Sequence, residues 1–281
     1  MDVGVQMFST DLAIRPDALA REAEARGFDA LFLPEHTHIP TSRRTPYPGG
    51  GELPDEYSRT YDPFLALTAA AVVTERLQLG TGICLVGQRD PILLAKEVAS
   101  IDVLSGGRFV FGIGYGWNED EMENHGLVPG KRRAVVREKM LAMEALWTQD
   151  AGAFDGEHVH LAPSWSWPKP LQQPRPPVLI GGAAGPTLFR HIAEFADGWI
   201  PIGGGGLSDG LARLREEFDL AGRDPASVQV TVIGAEPSPG KLDHLASLGV
   251  GRFLIGLPPA PAATVVPLLD RFAAALGDLQ H

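Results

Sequence analysis

Gly107-Arg-Phe-Val-Phe-Gly-Ile-Gly-Tyr-Gly-Trp-Asn118 is the stretch whose reading decides the fold. A short apolar run, Arg108 to Ile113, leads into alternating glycines at Gly112, Gly114 and Gly116, then Asn118 and the acids Glu119, Asp120 and Glu121. The run is too apolar to face water on either side, so it reads as a buried parallel strand. Glycines at a strand end let a ligand approach the main chain. The C-terminal end of such a strand is where an α/β fold builds its site.

Working outward, the same unit repeats. Strands are expected at Val3–Phe8, Ala30–Pro34, Leu77–Val86, Arg108–Ile113, Pro177–Ile180, Trp199–Ile202, Val228–Ile233 and Arg252–Leu257. Helices are expected at Pro16–Arg26, Pro63–Thr74, Pro91–Leu104, Lys131–Thr148, Pro186–Ala196, Ser208–Ala221, Lys241–Leu248 and Thr264–Leu276. Strands alternating with helices imply parallel pairing through crossover helices. Eight such units in 281 residues suit one closed (β/α)8 TIM barrel spanning 1–281, with a doubly wound open sheet as the competing arrangement. Three insertions interrupt the rhythm: Thr37–Tyr61, Asn118–Gly130 and Asp150–Pro176, the last with a small hairpin over Ala153–Leu161. The first two follow strands and so belong to the site face. The third follows a helix and reads as a surface excursion or subunit contact.

Composition excludes several function classes. Asp and Glu number 35 against 24 Lys and Arg, a net charge of −11. That balance argues against nucleic acid or an anionic membrane as the partner, although main-chain amides can still bind a phosphate locally. A lone cysteine, Cys84, allows no internal disulfide and points to a reducing, cytoplasmic setting. The first strand begins at once, with no signal peptide expected ahead of it, and no apolar run is long enough to span a bilayer.

The predicted site face is rich in glycine and poor in nucleophiles. Gly181-Gly-Ala-Ala-Gly185 precedes a helix and could bind an anion or simply make a tight turn. Gly203–Gly206 is similarly ambiguous. His36, at a strand end, is the best candidate to handle a proton, with Glu35 facing away to orient a neighbour. His36 with His38, and His158 with His160, lack a third ligand, so no metal is expected. Cys84 reads as a buried structural thiol. Trp165 and Trp167 either cover a pocket or pack a loop on the barrel. Tyr47, Tyr57, Tyr61, Met122 and Leu127 are expected in the walls of a partly apolar pocket.

As a set, these residues resemble the bacterial luciferase-like superfamily of flavin- and deazaflavin-dependent oxidoreductases. The resemblance rests on Leu79-Gly-Thr-Gly-Ile-Cys-Leu85, Arg89-Asp-Pro91, Leu94-Ala-Lys-Glu97, Ile101-Asp-Val-Leu-Ser-Gly-Gly-Arg108 and Gly112-Ile-Gly-Tyr-Gly-Trp-Asn-Glu119. Pro174-Arg-Pro-Pro-Val-Leu-Ile-Gly-Gly182 and Ala196-Asp-Gly-Trp-Ile-Pro201 support it, and it runs over essentially the whole chain.

The resemblance implies a cofactor at the C-terminal ends of the strands. It implies a cis peptide at Gly82–Ile83, with Gly82, Ile83 and Cys84 beside the ring system and Gly114 and Gly116 close to it. Asn118 would contact the ring system, and Gly181, Gly182, Ala183 and Ala184 would form the phosphate turn. Glu35 and His36 would form an acid–histidine pair. It also implies a small-molecule substrate and a homodimer. The overall pattern is most similar to F420-dependent actinobacterial enzymes, with Arg43, Arg44 and Arg59 placed to meet an anionic tail. FMN with molecular oxygen, as a monooxygenase, is the alternative, and a flavin- or deazaflavin-binding protein without turnover is the third.

Overall fold

Aspartate–proline pairs start two of the helices that surround the sheet. Asp62 accepts hydrogen bonds from the amides of Phe64 and Leu65 at 2.9 and 3.0 Å. Asp90 does the same for Ile92 and Leu93. In both, the next residue is a proline, whose missing N–H costs nothing in a first turn.

A computed structural model describes residues 1–202, 206–234 and 238–277. The elements are β1 (Asp2–Gln6), α1 (Pro16–Ala25), β2 (Ala30–Leu33), α2 (Pro63–Ala71), β3 (Gln78–Thr81), α3 (Pro91–Leu104), β4 (Phe109–Ile113), α4 (Glu119–Asn124), α5 (Arg132–Thr148), β5 (Gly152–Asp155) and β6 (His160–Ser164). They continue as β7 (Val178–Gly182), α6 (Pro186–Phe195), β8 (Gly198–Pro201), α7 (Leu207–Leu220), β9 (Gln229–Gly234), α8 (Pro239–Ser247), β10 (Arg252–Gly256) and α9 (Ala262–Gly277). Eight parallel strands close a barrel in the order β1-β2-β3-β4-β7-β8-β9-β10, and β5 and β6 form a separate antiparallel pair. The expected (β/α)8 TIM barrel of the luciferase-like type is the observed fold, with its insertions after the second and fourth barrel strands and before the fifth.

Strand alternation divides the core into two layers. Ala30, Phe32, Val110, Leu179, Ile200 and Leu254 fill the barrel interior. Leu31, Leu33, Phe109 and Phe111 point outward into the shell under the helices. Gly80 makes room for the Phe32 ring, since a Cβ there would stand 2.5 Å from Cε1.

Three expectations are corrected. The third strand ends at Thr81 rather than Val86: Gly82–Ile83 is cis, Cys84 rejoins the sheet by a single bridge to Ile113, and a 3-10 turn follows over Val86–Gln88. The insertion after β4 contains α4, whose first turn is Glu119, Asp120 and Glu121. Acids there complement the partial positive charge of a helix start. The rings of Trp165 and Trp167 cover no pocket, being 79% and 61% exposed, although the loop is held to the barrel by Lys96 of α3, which donates to the Trp167 carbonyl. The hairpin is instead tied to α5 by Glu138, whose carboxylate accepts from the amides of Glu157, His158 and Val159.

Candidate active site

A cavity of about 550 Å³ opens at the C-terminal ends of the barrel strands, within the range of small-molecule sites. Its floor is built around Ile83. A Cβ at Gly114 would overlap Ile83 Cδ1, and one at Gly181 would lie 2.8 Å from Cγ2. The glycines ending β4 and β7 therefore seat this side chain as an apolar ledge in the barrel mouth. Gln6 reaches from β1 and donates to the Gly82 carbonyl at 3.0 Å, fixing the segment before the ledge. Gly116, with φ of +80°, gives the wall a bend that an L side chain would resist.

Of the residues expected at a cofactor, Gly82, Ile83, Gly116, Gly181 and Gly182 line the cavity. Cys84, Gly114 and Asn118 are absent from its lining. Cys84 is fully buried, and burial with the neighbouring Glu35 carboxylate pushes its thiol up. Asn118 is 1% exposed, and neither atom of its amide finds a partner among the described residues. Ala183 and Ala184 are exposed on the turn after β7. Of the Gly203–Gly206 run, the first three glycines lie outside the described residues. Tyr57 is in the wall, but Met122 and Leu127 are core and Tyr61 lines a separate cleft beside Arg15.

His36 lines the cavity and is 8% exposed. Its Nδ1 lies 2.9 Å from Oε2 of Glu121, on α4, and 3.1 Å from Oε1. A carboxylate only accepts, so Nδ1 carries the hydrogen and Nε2 is left to exchange a proton. The expected Glu35–His36 pair is thereby replaced. Glu35 accepts from the Leu85 amide at 2.7 Å and from Arg89 Nε at 2.6 Å. Arg89 also bridges Asp62 and Glu97. These acids raise the Arg89 guanidinium's pKa against its burial, and burial raises that of the Glu97 carboxyl.

Arginines are likewise redistributed. Arg44 is paired with Asp120 and Glu123, and Arg59 with Asp11 at 3.0 Å. Arg43 lies over the Trp117 ring, 5.9 Å from its centroid, outside the lining. The cations in the wall are Arg132 and Arg133, which start α5 and have no carboxylate partner among the described residues. Arg132 donates to the Pro129 carbonyl at 2.7 Å, and Arg133 lies 5.7 Å from the Tyr115 ring centroid. The Tyr115 hydroxyl is 2.8 Å from His191 Nδ1 on α6; burial pushes the tyrosine up to about 12 and the histidine down. Among the described residues no three His, Cys, Asp or Glu side chains converge as metal ligands. No described helix is long and apolar enough to cross a membrane.

A barrel with a glycine-lined mouth, a cis bond after β3 and a histidine above β2 defines a class that sequence comparison makes explicit. Residues 17–238 match the luciferase-like monooxygenase family, and the chain belongs to it. Uncharacterized protein Rv0953c of Mycobacterium tuberculosis is 44% identical over 280 residues, covering 98% of this chain and 99% of that protein. Among solved structures, monooxygenase RslO1 from Streptomyces bottropensis superposes with a TM-score of 0.79 at 18% identity over the full length of both chains. An F420-dependent secondary alcohol dehydrogenase in complex with an F420–acetone adduct superposes at 0.77 and 17% identity, again over both full chains. At these identities the structural likeness establishes the fold.

Proposed function

We propose that this family member is an F420-dependent oxidoreductase that moves a hydride between the deazaflavin and a carbonyl or carbinol carbon of a small organic molecule. One observation carries the reading: the His36–Glu121 pair opens on a cavity whose wall also holds two arginines with no carboxylate partner among the described residues. The residues fit a flat tricycle on an anionic tether. Ile83 would support the ring system, the main chain of Gly116, Gly181 and Gly182 would allow close approach, and Arg132 and Arg133 would meet the tether.

F420, when bound, supplies two-electron hydride chemistry. His36 supplies the proton. In the reducing direction a proton leaves Nε2 for the substrate oxygen as the carbonyl becomes a carbinol; in the oxidising direction Nε2 takes the hydroxyl proton. Glu121 holds the imidazole in one tautomer and stabilises its charged form. The apolar wall of Leu85, Ile200, Ile202 and Ile233 excludes water and favours a second reading, FMN with molecular oxygen, in which such a wall shields the reactive site.

A homodimer belongs to the same proposal. α2 has no charged residue, and its Leu65 is 75% exposed; the neighbouring α3 exposes Leu93 and Leu104 at 59% and 58%. A helix apolar on all sides, such as α2, belongs in an interior or an interface, and a second copy of this chain would cover it together with the exposed leucines of α3. The single buried cysteine is consistent with a cytoplasmic enzyme.

The test is a fluorescence titration with F420 and with FMN, followed by mixing each reduced cofactor with ketones or with oxygen. F420 is expected to bind more tightly and to be oxidised by a ketone. Tighter FMN binding with oxygen-dependent turnover would install the second reading. Binding without any turnover would make the protein a carrier.

A further inference from the structure

We propose that the His36 side of the cavity selects an uncharged ketone or secondary alcohol carrying a flat apolar substituent, an aryl or cyclic group, and that Tyr57 and Trp117 make the selection. The proposal rests on the hydride-transfer reading and names its substrate class.

Two rings flank the imidazole in the cavity wall. Tyr57 has its centroid 5.1 Å from that of His36, and Trp117 lies 5.9 Å away, edge-on. They are packed on their neighbours and on each other. Tyr57 and Trp117 stand 6.3 Å apart, edge to face; Phe8, also in the wall, is 4.7 Å from Tyr57, and Tyr47, outside the lining, is 5.3 Å from Tyr57 and 6.1 Å from Trp117. Aromatic side chains with few rotamers, held by one another, make a preformed aromatic wall rather than a mobile surface.

Charge decides what can approach it. Both carboxylates at this end are engaged, Glu35 by Arg89 and the Leu85 amide, Glu121 by His36. Arg89 is itself shared among three acids. Arg132 and Arg133 adjoin Tyr115, which follows β4, two barrel positions from the β2 end that carries His36. Arg43 is exposed on Trp117 and outside the lining. A substrate carboxylate, phosphate or ammonium beside His36 would shed water and find no free counter-charge. A carbonyl oxygen finds Nε2, and a flat apolar group finds ring faces and edges.

The test pairs ligand-detected NMR titrations with steady-state oxidation of reduced F420, using acetophenone, phenylglyoxylate and acetone as probes. Acetophenone is expected to bind the F420-loaded protein at least about tenfold more tightly than either of the others. Trp117→Leu and Tyr57→Leu should each weaken acetophenone about tenfold in KM and in the NMR titration, with circular dichroism unchanged, and Trp117→Phe should restore most of the loss. Equal or tighter phenylglyoxylate binding, or leucine variants that bind acetophenone as the parent does, would overturn the aromatic-wall selection while leaving the cofactor assignment standing. If F420 fails to bind, the hydride-transfer reading falls; acetophenone retained in the same order by the cofactor-free protein would still support the aromatic wall.

Discussion

The two sides of the cavity handle charge in opposite ways. Beside His36 the buried ionic groups are matched, Glu121 to the imidazole and Glu35 to Arg89, while Arg43 lies exposed over Trp117 and outside the lining. Beside Tyr115, Arg132 and Arg133 stand with no acid against them among the described residues. Matched buried charges are fixed in place and have little attraction left for a ligand, because each field is cancelled at short range. Unmatched, partly exposed cations keep theirs. On the proposed function, the first arrangement would position a proton and the second would take an anion, which assigns turnover to one side and affinity to the other.

The largest effect should come from breaking the matched side. Glu121→Gln leaves an acceptor for Nδ1 but removes the charge, and His36→Ala removes the proton donor. Each should lower kcat by about 10²–10⁴-fold while F420 titrations change by less than about threefold. Next, breaking the unmatched side, Arg132→Ala with Arg133→Ala should raise the F420 dissociation constant about 10- to 100-fold. It should also flatten the salt dependence of binding seen in the parent, because the screened charges are gone.

A smaller effect sharpens the floor between them. Gly114→Ala forces Ile83 off its seat and should weaken F420 severalfold and lower the melting temperature by about 2–4 °C. The smallest is a pH effect on the Tyr115–His191 pair. Burial lowers the folded-state pKa of His191, so the unfolded chain takes up its proton first as pH falls through about 6.5. Stability should therefore decline on acidification from pH 7.5 towards 5.5. His191→Gln should reduce that decline by about 1 °C in melting temperature, the side chain being partly solvated.

The barrel was legible because its signals are local: aspartate–proline helix starts, alternation of apolar strands with helices, and glycines where Ile83 and Phe32 need room. The cavity lining was legible mainly at strand ends, as at His36, Gly82 and Gly181, and at Tyr57 in the insertion after β2. Glu35 faces away from His36, as neighbours at a strand end do and as its position suggested, so the acid–histidine pair implied by the resemblance does not form between them. Glu121 stands 85 residues from His36, and only the acidic first turn of α4 marked it. Arg132 and Arg133 went unnoticed, because side chains at a helix start that reach a cavity wall leave no periodic mark in the sequence. The arginines expected to serve in their stead, Arg44 and Arg59, lie close to acids the sequence does not place beside them.

The division of labour is tested most directly by single-turnover stopped flow with F420, extracting binding constant and hydride-transfer rate separately for His36→Ala and for the Arg132→Ala/Arg133→Ala pair. The account predicts that the histidine variant loses rate at least about 100-fold with affinity retained, and that the arginine variant loses affinity at least about tenfold with rate retained. If both variants lose the same quantity, the two sides of the cavity do not divide the work and the account is wrong.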